Sequence, residues 1–448
     1  MIRYARAWLA RWPVTAFDVA VTRIVVALLL GFTAEVERAV HIASASRAHW
    51  IAPAGLGWFL QVAPLDVDTV KLVRLVHWNA SALAVVGLFT RPMLALSCCT
   101  GFYLFALHQV SGAVLHDMHL LWFAAVLAAG SAGEALSVDA WLASRRVLGP
   151  RQPRLRHALT LASIGTLLGV VYFFPGAWKL GASGLAWAWS DNLANQMHAK
   201  WLQYGVIPAP RVDRLPWLLH LGASLALLFE LGFLFLVQWG TRTRVVLALA
   251  GLAFHGAIQH FLLIRFSALW LCYVALIPWR SWFSRERSRA PSVRWLRGRW
   301  PRMSVMLLLA MLVVLGERGV RGQTQSFPFA CYPTFHRRLG PELHDLRVLA
   351  LDATGAAREV PIARDERGAR TQAQWGTVWS LAGIYGVPFE RARLQRYFRA
   401  EYTRPHVRAV LEGATEIRVE LVLRPTAPEA WEQPPRILRE LTRFDSLE

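Results

Sequence analysis

The chain has 448 residues, of which 55% are hydrophobic and only 17% are charged. A soluble globule needs more water-facing residues than this, so the composition predicts a polytopic membrane protein. The net charge of +20 comes from Arg gathered in short runs between apolar segments. A basic groove with stacking aromatics is missing, which argues against a nucleic-acid partner.

The apolar segments are mostly long enough to cross a bilayer, for which about 20 residues are needed. The first follows an Arg-containing N-terminus and is long enough to remain as an uncleaved signal anchor. We predict nine transmembrane segments, the eighth of them short enough to be re-entrant or tilted: 14–34, 70–89, 92–111, 118–136, 158–177, 216–239, 245–263, 266–279 and 303–320.

The Arg-rich segments fall on one side if these nine crossings alternate, and the positive-inside rule makes that side the cytoplasm. The expected location is therefore the cell membrane, with a cytoplasmic N-terminus. Residues 35–69, 112–117, 178–215 and everything after 320 are then extracytoplasmic. The Trp-rich stretch between Trp178 and Gly205 suits an amphipathic helix lying in the membrane interface.

After residue 320 the pattern becomes charged and soluble. Alternation predicts strands at 346–351, 358–362 and 417–423, with a turn at 352–355, and 375–400 reads as mostly helical. We therefore expect two domains, a transmembrane domain 1–320 and a soluble domain 321–448. The predicted fold class is an all-α polytopic membrane bundle with a small C-terminal α+β extracytoplasmic domain.

Lys179 follows a long apolar segment and has no charged neighbour in the sequence. An ammonium group at membrane depth is costly unless it is paired, deprotonated or in a wet cavity, so it marks a candidate functional site. Pro175, Gly176, Gly181 and Gly184 predict an interrupted helix around it, which is tolerated where backbone lines a cavity. The alternative is a lysine that snorkels to the lipid headgroups.

Two histidine clusters accompany the lysine. His116, Asp117 and His119 stand at the start of the fourth segment, where the alternative is a helix-capping Asp with two interfacial histidines. A metal site would need a further ligand that no nearby signature supplies, so we predict no metal.

The second cluster lies in the seventh segment, where His255 and Gln259 share a helix face and His260 follows. A buried His bonded to a carbonyl is the ordinary alternative. With Lys179, the clusters predict one shared pocket, in which desolvation favours the neutral amine that can act as a base. The candidate catalytic residues are Lys179, His119 and His255, and the candidate substrate-binding residues are His116, Asp117, Trp178, Trp187, Gln259 and His260.

Short motifs along the chain resemble the HTTM (horizontally transferred transmembrane) family, which includes the vitamin K-dependent gamma-carboxylases. The resemblance covers nearly the whole chain and is carried by Asp18, Arg23-Ile24, Gly87-Leu88-Phe89-Thr90-Arg91, Ser137-Val138-Asp139, Gly176-Ala177-Trp178-Lys179-Leu180, Phe254-His255, Thr324-Gln325, Tyr332-Pro333 and Gly355.

The resemblance implies a role for Lys179 as the base toward a reduced, vitamin K-like quinone, with His119 in support. It also implies gamma-carboxylase-like lyase or oxidoreductase activity. Two hypotheses follow. The protein is an enzyme that uses a lysine base on a quinone-like or lipid substrate in an outward-facing membrane cavity, with membrane lipids and a lipophilic small molecule as partners. Alternatively, it is a non-catalytic membrane scaffold or carrier whose outer domain binds a partner.

Overall fold

A computed structural model describes residues 2–44, 50, 55–62, 65–111, 117–144, 154–283, 299–323, 326–330, 335–360, 382, 389–401 and 405–445. The N-terminal part is helical. Its helices are α1 Ile2–Ala10, α2 Ala16–Gly31, α3 Ala34–Ser44, α4 Phe59–Val62, α5 Val67–Val86, α6 Thr90–Leu107, α7 His119–Ala129, α8 Val138–Ser144, α9 Leu155–Ser183, α10 Asn192–Tyr204, α11 Pro216–Leu236, α12 Thr241–Phe261, α13 Ser267–Leu271, α14 Trp279–Phe283 and α15 Arg299–Val320.

Within the described residues, six helical stretches are long and apolar enough to cross a membrane: Ala16–Ser44, Thr90–Val110, Leu155–Trp187, Pro216–Leu236, Thr241–Phe261 and Met303–Val320. The predicted segment 70–89 corresponds to α5, which is of spanning length but more polar. The predicted segments 118–136 and 266–279 correspond to shorter apolar helices, His119–Ala129 and Ser267–Leu276. A mostly helical protein with several helices that are long and apolar enough to cross a membrane is therefore confirmed.

Arg side chains from distant segments meet at one end of the bundle. Arg23 is fully buried in α2 and donates to four backbone carbonyls, one at the end of α5 and three in the turn after α7. Arg91 binds the carbonyl of Gly130 in the same turn. Arg244 donates to the carbonyl of Arg11 and stacks over Trp12, 3.9 Å from the ring centre.

Several of the short motifs given above, at 87–91 and 137–139 and with Asp18 and Arg23, lie at this end and hold its segments together. Asp139 accepts hydrogen bonds from the backbone amides of Phe89 and Thr90, which caps the start of α6. Gly87 has φ +72°, and a Cβ there would lie 2.3 Å from the Cβ of Ser137. Only glycine fits both the backbone angle and the close approach.

Helix α9 is continuous from Leu155 to Ser183, although Pro175 lies inside it. The prediction that Pro175 and Gly176 interrupt this helix is therefore wrong. Gly176 has a packing role instead, because a Cβ there would lie 2.9 Å from the Cβ of Glu230 in α11. The helix ends only at Gly184, whose φ is +58°.

The C-terminal part is a four-stranded antiparallel sheet of order β2-β1-β3-β4, formed by β1 Glu342–Leu351, β2 Ala357–Glu359, β3 Glu416–Pro425 and β4 Arg436–Asp445. Helices Arg391–Glu401 and Pro405–Leu411 accompany it. The small C-terminal antiparallel sheet and its turn at Gly355 are confirmed, whereas β4 was not predicted. Half of the predicted helical stretch 375–400 lies outside the described residues, and its end is helical from Arg391.

Candidate functional site: an apolar cavity with a buried ion pair

A cavity of about 380 Å³ lies between α9, α10, α11 and α12. This volume is within the range of small-molecule sites, which are typically about 300–1,000 Å³. Most of its wall is apolar, and the polar side chains in it are few. The lining residues include Val171, Tyr172, Pro175, Lys179, Trp187, Gln196, Met197, Val212, Gly222, Ala223, Ala226, Glu230, Phe254, His255, Ala257, Phe266 and Phe335.

Lys179 lies in this wall and is only 5% exposed. Its Nζ donates a hydrogen bond to Oε1 of Glu230, which is also 5% exposed, so the two form a buried ion pair. Nζ also lies 4.9 Å from the ring centre of Trp187, in cation–π geometry. The amine thus faces protein and cavity rather than the outer surface of the bundle.

Glu230 was not among the predicted site residues. The lysine has no charged neighbour in sequence, but α11 packs against α9 and brings Glu230 to it from 51 residues away. A signal was present in the sequence, because Glu230 is the only charged residue of the 21-residue segment Pro216–Leu236. An ionisable side chain inside an apolar segment is itself a reason to expect a partner.

His255 in α12 lines the same cavity and belongs to a short chain of polar groups. Its Nε2 lies 2.7 Å from the hydroxyl of Tyr172, and that hydroxyl is also hydrogen-bonded to the hydroxyl of Tyr273. All three side chains are at most 5% exposed. The two tyrosines were not predicted, because aromatic residues in apolar helices are ordinarily core residues.

His119 lies behind the cavity wall. It is fully buried, its Nε2 is 3.3 Å from the carbonyl oxygen of Ala268, and it interacts electrostatically with His255. Asp117 precedes α7 and lies beside Glu35; burial, together with the charge of Glu35, raises the pKa of Asp117 well above its ordinary value. His116 lies outside the described residues.

The remaining predicted residues do not all reach the cavity. Trp187 lines it, and its indole N–H donates to the carbonyl of Phe335. Trp178 instead packs against the end of α15, where its indole N–H donates to the carbonyl of Gly319. Gln259 and His260 are exposed and are not among the lining residues, although Nε2 of His260 is 2.7 Å from the carbonyl oxygen of Ala209.

Ion pairs link one part of the cavity wall, near the start of α11, to the C-terminal part. Val212 lies in the wall, and its neighbour Arg211 binds both Asp213 and Glu429, the latter from the turn after β3. Burial raises the pKa of Asp213, but hydrogen bonds from Arg211 and His198 outweigh it and hold that pKa at about 2. This ion-pair network is therefore charged at neutral pH.

No protein-family model, no curated protein and no solved structure matches the chain. Its own fold and site define its class: a mostly helical protein with six described helical stretches that are long and apolar enough to cross a membrane, a small C-terminal sheet and an apolar cavity. The particular feature of this chain is the ion pair of Lys179 and Glu230 in the cavity wall, next to His255. Such an arrangement can bind a lipophilic molecule by its polar end and exchange a proton with it.

Proposed function

We propose that this chain is an HTTM-like membrane enzyme that binds a lipophilic, quinone-like or lipid substrate and removes a proton from it. The observation that carries the proposal is the buried Lys179–Glu230 pair in the wall of an apolar cavity. The resemblance to the vitamin K-dependent gamma-carboxylases supports a reduced quinone as the substrate class. Lys179 is the base, His255 orients the polar end of the substrate and His119 supports His255.

The ion pair supplies a way to make the lysine a base. Two buried charges are costly in an apolar cavity, even when they are paired. Transfer of one proton from Lys179 to Glu230 removes both charges and leaves an amine and a carboxylic acid. The amine then takes a proton from the substrate, which keeps the electron pair and becomes an anion. Trp187 stabilises the resulting ammonium group through its ring face.

The topology belongs to the same proposal. Nine crossings result if α5, α7 and the segment Ser267–Leu276 are added to the six long helical stretches. The Arg side chains that meet at one end of the bundle support a cytoplasmic location for that end. Lys179 lies fourteen residues further along α9 than Gly165, which approaches Trp12 at that end. This is about 20 Å of helix, so the cavity lies in the outer half of the membrane.

The test measures deprotonation directly. The purified protein is placed in lipid nanodiscs without oxygen and mixed with a short-chain naphthohydroquinone, whose anion absorbs at longer wavelength than the neutral form. We expect the native protein to produce the anion at a pH where the free compound remains neutral. Lys179→Ala should abolish this signal, and Lys179→Arg should not restore it, because a guanidinium group does not give up its proton at working pH.

Lys71→Ala is the matched control, because Lys71 is an exposed lysine of α5 that pairs with Asp68. It should leave the anion signal unchanged. A full signal from Lys179→Arg would show that only a positive charge is needed and would end the general-base proposal. Binding of the hydroquinone with no anion formed would favour the non-catalytic carrier instead.

A further inference from the structure

The cavity is not enclosed but opens at the surface of the bundle. Of the described residues that line it, Gly222 in α11 and Ala257 in α12 are exposed, and all the others are buried or half-buried. The lining residues that α9 and α10 contribute are all among the buried and half-buried ones. Because the exposed residues of a wall mark where a cavity reaches the surface, the opening lies between α11 and α12.

The contact between α11 and α12 is interrupted along its length. Helix α11 packs closely along α9, but it contacts α12, which follows it after a short turn, much less extensively. Away from that turn the two helices meet where the ring centres of Phe229 and Phe254 lie 5.0 Å apart. They meet again at their far ends, where Leu219 belongs to an apolar cluster that includes Phe261. A gap bounded by apolar contacts at both ends is therefore left between the two helices.

Gly222 and Ala257 lie in this gap, which we call the lateral opening. A Cβ placed on Gly222 would have no atom within 4 Å, so no neighbouring side chain fills the space beside it. Phe254 and Phe261 are seven residues apart on α12, so the lateral opening extends about 10 Å along the helix. A fused pair of aromatic rings is shorter than this.

Exposed Trp side chains indicate the depth of the lateral opening in a bilayer. Trp217 is exposed at the start of α11, and Trp239 is exposed just after its end. Trp is enriched at membrane interfaces, and these two residues are about 30 Å apart along the helix, which matches the thickness of the hydrocarbon layer. Gly222 is five residues from Trp217, which is about 7 Å of helix, and its exposed neighbours Leu221 and Leu225 are apolar. The lateral opening therefore faces hydrocarbon.

We propose that the lateral opening is the entrance through which a lipophilic ligand passes from the hydrocarbon layer of the bilayer into the cavity. The ligand then reaches the ion pair without crossing water, because Glu230 lies two helical turns, about 12 Å, further along α11 than Gly222. This inference rests on the proposed function in one respect, since it concerns the ligand of the same cavity, but it does not require any reaction.

Binding kinetics test the lateral opening in the full-length protein in liposomes. The probe is an alkyl-substituted naphthol, whose own fluorescence reports its binding. Ala257→Trp obstructs the path between bilayer and cavity, so it should slow association and release by the same factor. We expect both rate constants to fall at least about tenfold, with the dissociation constant unchanged within about twofold. Ala253→Trp, one turn earlier on α12, exposed and outside the cavity lining, is the matched control and should change neither rate.

Two further measurements address the same opening from other directions. Gly222→Trp obstructs it from α11 and should reproduce the effect of Ala257→Trp, whereas Leu221→Trp, which is exposed and outside the cavity lining, should have no effect. Photoreactive benzoylphenylalanine in place of Ala257 should crosslink to lipid acyl chains, as it should in place of Ala253. Lipid crosslinks at position 253 alone would show that the opening does not face the bilayer.

The outcomes separate this inference from the proposed function. Unchanged rates in the two obstructed variants would overturn it, and so would a loss of affinity without slower association, because Gly222 and Ala257 would then belong to the binding wall and not to its entrance. A native protein that does not bind the naphthol would overturn it as well. Slower binding and release in the obstructed variants of a protein that forms no hydroquinone anion would uphold the lateral opening and contradict only the proposed base chemistry.

Discussion

The Lys179–Glu230 pair decides between the two interpretations of the lysine. A snorkelling lysine extends toward the headgroups and remains in contact with water. Lys179 instead contacts a carboxylate from another helix, and both side chains are nearly excluded from solvent. Burying two charges is costly even when they pair, and well-packed apolar residues in their place are often as stable. Stability alone is therefore a weak explanation for a pair at this position.

We predict a characteristic pattern of stability when the pair is broken. Lys179→Met alone leaves Glu230 buried without its partner and should destabilise the protein by about 3–5 kcal/mol. Glu230→Leu alone should have a similar effect, since it leaves the ammonium unpaired. The double variant Lys179→Met/Glu230→Leu should recover most of the native stability, as measured by thermal unfolding in detergent. Additive losses in the double variant would show that the two side chains do not act as a pair.

At the residue scale, the sequence predicted those site residues that can be identified within a single segment. Lys179 and His255 were singled out because each is a polar residue in an apolar segment, and both line the cavity. Glu230 and Tyr172 were missed because their significance depends on which helices pack together. Gln259 was placed with His255 from helical spacing, but that spacing does not tell which side of α12 faces the cavity.

At the element scale, the main finding is that α9 runs without a break past the site. Proline inside a helix removes one backbone hydrogen bond, and the sequence alone suggested that the helix ends there. Tertiary packing overrides this preference, because α9 lies along α11 and Gly176 allows their close approach. Gly176 thus allows α9 and α11 to approach closely at the Lys179–Glu230 pair and does not interrupt the helix.

Two glycines of α9 give a matched test of this packing. Gly176→Ala should destabilise the protein, although alanine favours helix, because its Cβ would lie 2.9 Å from the Cβ of Glu230. Gly181→Ala should be neutral or stabilising by about 0.5–1 kcal/mol, because no atom lies within 4 Å of its Cβ. Thermal unfolding measures both. Equal effects at the two positions would mean that Gly176 has no packing role.

At the scale of the whole molecule, the two ends of the bundle differ in chemistry. One end gathers buried Arg side chains, and the other carries α10, the segment after α15 and the C-terminal sheet. The side chain of Asn195 donates to the carbonyl of Leu339, and Arg211 pairs with Glu429, so the sheet is fixed near the cavity. The sequence predicted the sheet from alternation, but it carries no pattern that predicts these contacts.

The difference in chemistry between the two ends of the bundle predicts the topology. A reporter fused at residue 1 should be active only in the cytoplasm, and one fused after residue 448 only outside it. A reporter inserted within residues 145–150, between α8 and α9, should be active only in the cytoplasm. A cytoplasmic C-terminus would remove one crossing, most simply the short segment Ser267–Leu276.

The central claim is that the cavity beside Lys179 holds a lipophilic ligand. Native mass spectrometry of the protein released from nanodiscs tests it directly, with Ala226→Trp to fill the cavity and Ala253→Trp, on the exposed face of α12, as the matched control. We predict that the native protein and Ala253→Trp retain a lipophilic molecule that Ala226→Trp loses. The claim would be contradicted if Ala226→Trp retained the same molecule. It would also be contradicted if none of the three proteins retained a lipophilic molecule.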